Sequence, residues 1–117
     1  MKQSGDKEFK LRNYEEAIYK YREAVGMCGN THNDTKSKCY HNIGVCHMNK
    51  KEANHAKAAK AFTKAIDLIG NYVNARMKRA KCYSKVEEFD KSSADMKYLE
   101  NLAKELDNKE LLMKIQI

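Results

Sequence analysis

Apolar and small residues recur along this chain in a three-point pattern: a small residue, a bulky one four positions on, and a second small or apolar residue three further. NYEEAIYKYREAV, from Asn13 to Val25, carries it at Ala17, Tyr21 and Ala24, and HAKAAKAFTKAIDL, from His55 to Leu68, repeats it at Ala58, Phe62 and Ala65. Spacings of four and three place all three side chains on one face of a helix. A degraded third copy, EEFDKSSADMKYL, puts Ser92, Met96 and Leu99 at the same places. From Ala17 to Ala58 is 41 positions and from Ala58 to Ser92 is 34. The second interval is the period of a two-helix repeat, and the first is that period with an enlarged loop.

Each copy is preceded by a helical stretch in which a small residue stands three or four positions before a bulkier one: Gly5 before Phe9, Gly44 before His47, Ala80 before Tyr83. The small residues allow neighbouring helices to approach closely. The expected architecture is all-α, an α-α superhelix of three helix-turn-helix repeats plus a C-terminal capping helix. Its helices fall near 1–11, 14–27, 35–50, 54–69, 71–85, 87–106 and 108–116. Asp34 or Thr35, Asn71 and Asn108 are the expected N-caps of the third, fifth and last helices. Leu99, Leu102, Leu106, Leu111, Leu112 and Ile115 form an apolar tail suited to covering the open end of a solenoid. The chain reads as a single domain over 1–117, with repeats at about 1–34, 35–70 and 71–106 and the cap at about 108–117, and as a piece of a longer protein because Met1 falls inside the first expected helix.

Composition sharpens this picture. There is no proline and no tryptophan and there are five glycines in 117 residues, so helices joined by short connections are favoured over sheets or disorder. No run approaches the ~18 apolar residues of a membrane span, and MKQSGDKEFK lacks an apolar signal run. Cys28, Cys39, Cys46 and Cys82 form no CxxC pair, so reduced thiols in a cytoplasmic setting are expected. A net charge of +7 favours acidic partners without naming one.

GDKEFKLRNYEEAIYKYREAV, GVCHMN followed by AAKAFTKAI, and RAKCYSKVEEF together resemble the tetratricopeptide repeat family over essentially the whole chain. Within that family the chain is similar to the three-repeat modules of co-chaperones, and YVNARMKRAKCY with KELLMKIQ resembles the last such module of DnaJ-type co-chaperones. Departures are the missing proline at repeat ends, Arg12 where glycine is usual, the longer connections at 26–34 and 50–54, and Ser92 for alanine.

The resemblance implies a concave groove for an extended peptide and a five-residue clamp for the peptide's terminal carboxylate. The clamp positions fall on Lys2, Asp6, Asn42, Asn74 and Lys78, where the family carries Lys, Asn, Asn, Lys and Arg. Lys2 and Asn42 match. Lys78 keeps a charge but lacks the bidentate fork of arginine. Asn74 removes a positive charge and Asp6 adds a negative one, so the ordinary clamp is expected to be impaired. By the same resemblance Gln3, Lys38, His41, Val45, Met77 and Lys81 line the groove, and Lys38 and Lys81 are candidates for a displaced cationic pocket.

Other chemistry is weaker. Cys39 and Cys46 are seven residues apart on one helix, ~10 Å along its axis, too far to share one zinc without ligands between, so core thiols are expected and no metal or other cofactor. No phosphate loop, nucleophile elbow or paired-histidine motif is present, so no enzyme is expected. Arg76, Lys78, Arg79 and Lys81 point in several directions, and Tyr14, Tyr21, Tyr40, Phe62, Tyr83 and Phe89 fall on repeat-packing positions, an arrangement unsuited to nucleic acid. Arg76 and Arg79 are expected to lean to the flanks of the groove. The functional expectation is a non-catalytic interaction module for an acidic or C-terminal peptide, heat-shock chaperone tails included. The alternative is an assembly scaffold that packs on other repeat units or on its own copy as a homo-oligomer.

Overall fold

The computed structural model describes residues 2–105. They form six helices: α1 (Lys2–Lys10), α2 (Tyr14–Cys28), α3 (Asn33–Asn49), α4 (His55–Leu68), α5 (Val73–Lys85) and α6 (Phe89–Glu105). No strand occurs among the described residues, and each helix packs on the next to build an α-α superhelix. The seventh expected helix, its Asn108 cap and the apolar tail from Leu106 onward lie outside the described residues. No helix of the described residues is long and apolar enough to cross a membrane.

The three-point pattern is the core. Ala17, Tyr21 and Ala24 of α2 and Ala58, Phe62 and Ala65 of α4 are all buried. Two glycines explain how the helices come so close. A Cβ on Gly5 would stand 2.6 Å from the Tyr21 ring, and one on Gly44 would stand 2.6 Å from the Phe62 ring, so each aromatic occupies the space that any other residue's side chain would need. The third copy departs: Leu99 is fully buried, but Ser92 and Met96 are half-buried, and Ser92 Oγ donates to the Ala80 carbonyl at 2.8 Å. That bond ties α6 to α5 through a polar contact where the other copies use alanine.

The connections carry the clearest differences from expectation. Arg12 and Glu87 adopt left-handed backbone, φ 62° and 63°. In both turns the following amide reaches back to the fifth residue before it: Asn13 N to Glu8 O at 2.9 Å and Glu88 N to Tyr83 O at 2.8 Å. One helix-ending turn is thus used at both ends of the chain without a glycine, where glycine has the least strain. Between α3 and α4 the longer link is closed differently. Asn54 caps α4, its Oδ1 accepting from Lys57 N at 3.0 Å, and its own amide donates to His47 O at 2.8 Å. The expected caps shift: α3 begins two residues earlier, after left-handed His32, leaving Asp34 in the first turn, where its charge suits the helix dipole. For α5 the boundary residue is Tyr72, not Asn71.

Arg76 and Arg79 do not lean to the flanks. Both turn into the α5–α6 interface, where Asp95 is 3% exposed. Arg79 donates to both Asp95 oxygens, through Nε at 2.8 Å to one of them, and through a further nitrogen to Thr63 Oγ1 of α4 at 3.1 Å. Arg76 approaches the same carboxylate at 3.5 Å, donates to the Gly70 carbonyl and stacks 3.6 Å from the Tyr98 ring centre. A buried carboxylate needs such partners, and two forked guanidiniums supply them. Phe89 also departs from expectation, standing 59% exposed at the start of α6 instead of packing.

Candidate functional site

The sequence-derived groove residues lie on α1, α3 and α5, and the structure sorts them into two groups. On α1, Lys2 and Asp6 are one turn apart and close on each other, Nζ to Oδ2 at 3.0 Å. Asp6 also accepts the Tyr21 hydroxyl from α2. Burial alone would push the Asp6 carboxyl up, but the Tyr21 hydroxyl and the Lys2 ammonium outweigh it and hold it below its ordinary value. Burial first, and the same contact with Asp6 second, push the Tyr21 phenol up. Lys2 is therefore already neutralised. Gln3 lines a shallow depression with Lys2, Ala24, Met27 and Thr35 beside it.

The second group joins α3 to α5. Lys38 and Asn74 flank one cleft of about 370 Å³, whose apolar wall is Ile69, Tyr72 and Val73. His41 stacks on Tyr72, ring centres 5.1 Å apart and 19° from parallel, and tilts against Phe62. Its Nδ1 is 3.4 Å from Asn42 Oδ1, while its Nε2 is buried without a hydrogen-bond partner among the described residues. Burial first, and the nearby Lys78 charge second, hold the His41 imidazole below its ordinary pKa, so it is neutral at pH 7. Lys78 is half-buried and makes no ion pair among the described residues; burial and repulsion from Lys81 both lower its pKa. Val45 packs among the α4 core residues and Met77 against Leu99 and Ala103.

The face of α1, α3 and α5 expected to line a groove is therefore electrostatically uneven. Its α1 end carries a closed ion pair, while its α5 end holds Lys78 and Lys81 without an ion pair among the described residues, beside a neutral imidazole and two amides, with Asp34 the one acid on the wall of the adjoining cleft. A half-buried ammonium lacking a counter-ion gains when an anion arrives. Tyr72 was not among the sequence-derived residues, although it shapes both the cleft and the His41 ring. The Gly70-Asn71 turn before it was the available signal. Ser37, also unmarked, is fully buried and donates to the Ala65 carbonyl at 2.9 Å, fixing α3 to α4 at the cleft's edge.

Cys39, Cys46 and Cys82 are buried, and burial raises their thiols to about 11, 12 and 11. At neutral pH they are protonated, a poor state for metal or nucleophilic chemistry. No group of three or more His, Cys, Asp or Glu side chains among the described residues is placed to hold a metal ion.

Similar proteins extend over this whole region. A mouse "DnaJ homolog subfamily C member 7" is 33% identical over 99% of the chain and 23% of its own length. A rat "Mitochondrial import receptor subunit TOM70" is 34% identical over 74% of the chain and 14% of its own length. A zebrafish "Protein unc-45 homolog B" is 27% identical over 82% of the chain and 10% of its own length. The chain spans less than a quarter of the length of these curated relatives. No protein-family model matches the chain. The relatives contain tetratricopeptide repeats and, at this modest identity, support that family and a protein–protein interaction module.

Proposed function

We propose that this chain is a non-catalytic peptide-binding module, built of repeats at about 1–34, 35–70 and 71–106. Its groove receives an extended acidic or C-terminal segment of a partner and serves as a chaperone adaptor with an altered carboxylate clamp. The observation that carries the reading is Lys78, half-buried on α5 with no ion-pair partner among the described residues, next to Lys81, His41 and Asn42. The peptide's carboxylate fits at this end, displaced from the α1 end, where Asp6 has taken Lys2. The DnaJ homolog among the relatives supports a partner on the chaperone side. The test is calorimetric titration of peptides ending in Glu-Glu-Val-Asp, with free and with amidated carboxyl termini. The free form is expected to bind more tightly, and equal affinity for the two forms overturns the terminal-carboxylate reading.

A second reading, assembly on further repeat units or on a second copy, is favoured by exposed apolar side chains near the α1–α2 end: Leu11 is 60%, Tyr19 58% and Met27 73% exposed. Sedimentation of the chain over a concentration series discriminates, since a strictly monomeric particle removes self-association.

A further inference from the structure

On the side of α3 away from the groove, three helices enclose a second cleft of about 280 Å³. Two helical stripes build it. Tyr40, Ile43 and His47 are spaced three and four apart on α3 and form the floor, together with Ala61. Lys57, Lys60 and Lys64 have the same spacing on α4 and form one rim, and Arg22 of α2 stands opposite. At 3.6 residues per turn, Tyr40, Ile43 and His47 lie about half a turn from Lys38, His41 and Asn42, so the two sites share a helix but not a face.

We propose that this cleft binds a compact anion bearing a phosphate monoester. Four cations converge on it and none of its lining residues is acidic. None of the four makes an ion pair among the described residues, although Lys64 lies 5.5 Å from the Tyr40 ring centre, over the aromatic floor. Glu15, whose charge reaches His47, is paired with Lys50 at 3.0 Å, and Asp67 and Glu88 line the neighbouring cleft that Lys60 and Lys64 also border, without pairing with either lysine. His47 supplies an independent sign of an unfilled polar site: it is 4% exposed, and its Nδ1 has no hydrogen-bond partner among the described residues. Its imidazole is held down to about 4 by burial first and then by Lys50, Arg22 and Lys57, so two of the four lining cations, Arg22 and Lys57, make themselves felt at the floor. A phosphate monoester carries about two negative charges on three acceptor oxygens, which suits several donors in a small volume better than a single carboxylate does. The apolar floor accommodates the body that carries the phosphate, and the volume is too small for a folded partner. The inference is independent of the groove reading.

The test uses the chain as it stands. Inorganic pyrophosphate is titrated at constant ionic strength while amide resonances are followed by NMR. Saturable shifts are expected at Arg22, Tyr40, His47 and Lys60. The K60E/K64E double variant is expected to bind about tenfold more weakly or worse, and K97E/K104E, the same charge change on α6, to bind within about twofold of the parent. Circular dichroism checks that the exposed substitutions leave the helices intact. A second arm sediments the chain with phosphatidylcholine vesicles with and without phosphatidic acid. Pyrophosphate saturation without sedimentation assigns a soluble phosphate. Sedimentation that needs phosphatidic acid and is lost in K60E/K64E assigns a lipid headgroup. Shifts that fail to saturate, with no vesicle binding, overturn the proposal, as does equal weakening in both double variants.

Discussion

The two ends of the solenoid solve the same problem, a carboxylate at a helix-pair interface, in opposite ways. At the first pair the acid is Asp6, on the groove-bearing helix α1, where it takes Lys2 and the Tyr21 hydroxyl. At the third pair the acid is Asp95, on the outer helix α6, where it takes Arg79 and Arg76 from the side of α5 away from the groove. The first arrangement consumes a groove cation and the second leaves Lys78 and Lys81 unpaired among the described residues. Which helix of each pair carries the acid, not a count of lysines, thus decides at these two pairs whether the lysines of α1 and α5 are paired among the described residues.

The sharpest way to break this comparison is Asp95→Ala, which strands two guanidiniums in an interface where their side chains are 14% and 16% exposed. A loss of ~3–5 kcal/mol in urea unfolding is expected, as for removal of one partner from a buried ion pair. A loss below ~1 kcal/mol contradicts the assignment of Asp95 as the lock of the third pair.

Next comes the groove itself. Lys78→Ala is expected to weaken binding of a free-carboxylate acidic peptide about tenfold, whereas Lys2→Ala changes it less than about twofold. Fluorescence anisotropy reads both, and equal effects at the two ends contradict the uneven groove.

Asp6→Asn probes the closed end and has a pH signature. The folded-state carboxyl lies below its ordinary value of 3.8. The unfolded chain therefore takes up this proton first as the solution is acidified. The stabilisation is fully present above about pH 3.8 and is lost as pH falls through the folded value. The variant is expected to lose that part of the acid limb in urea-midpoint profiles and to cost ~1 kcal/mol or less at neutral pH, since the pair is partly exposed. By releasing Lys2 it is also expected to raise acidic-peptide affinity in the same anisotropy titration. An unchanged acid limb contradicts the Asp6 assignment.

The smallest effects test the shared turn. Arg12→Gly and Glu87→Gly each relieve a left-handed residue, and each is expected to stabilise by about 0.5–1 kcal/mol once the extra freedom of glycine in the unfolded chain is subtracted. Thermal unfolding should show similar gains at the two positions. Gain at one alone shows that the turns differ despite their matching φ angles.

Much of the architecture was legible in the residues. The spacing of Ala17, Tyr21 and Ala24, and of Ala58, Phe62 and Ala65, identified the buried faces, and the small residues Gly5 and Gly44 marked where helices close. The charged network was less legible. Arg76 and Arg79 sit in a basic run and were expected at the groove's flanks, yet their partner lies 19 and 16 residues further along the chain on another helix. Tyr21 was legible as a core aromatic, but its bond to Asp6, 15 residues away, was not. The starts of α3 and α5 fell at His32 and Tyr72, neither of which caps through its side chain, so the polar residues expected there had no capping bond to mark them.

The amino-acid sequence by itself determined the helices, their repeat and the apolar faces they bury, because a 3.6-residue period is local and each helix writes it along its own length. Only the tertiary structure decided which charges remain available to a partner. Which acid is engaged depends on a few ångströms of separation between side chains on different helices: Tyr21 reaches Asp6 because its ring seats against Gly5, and Arg79 reaches Asp95 because α6 packs on α5, neither of which is written in the spacing of lysines and aspartates along the chain.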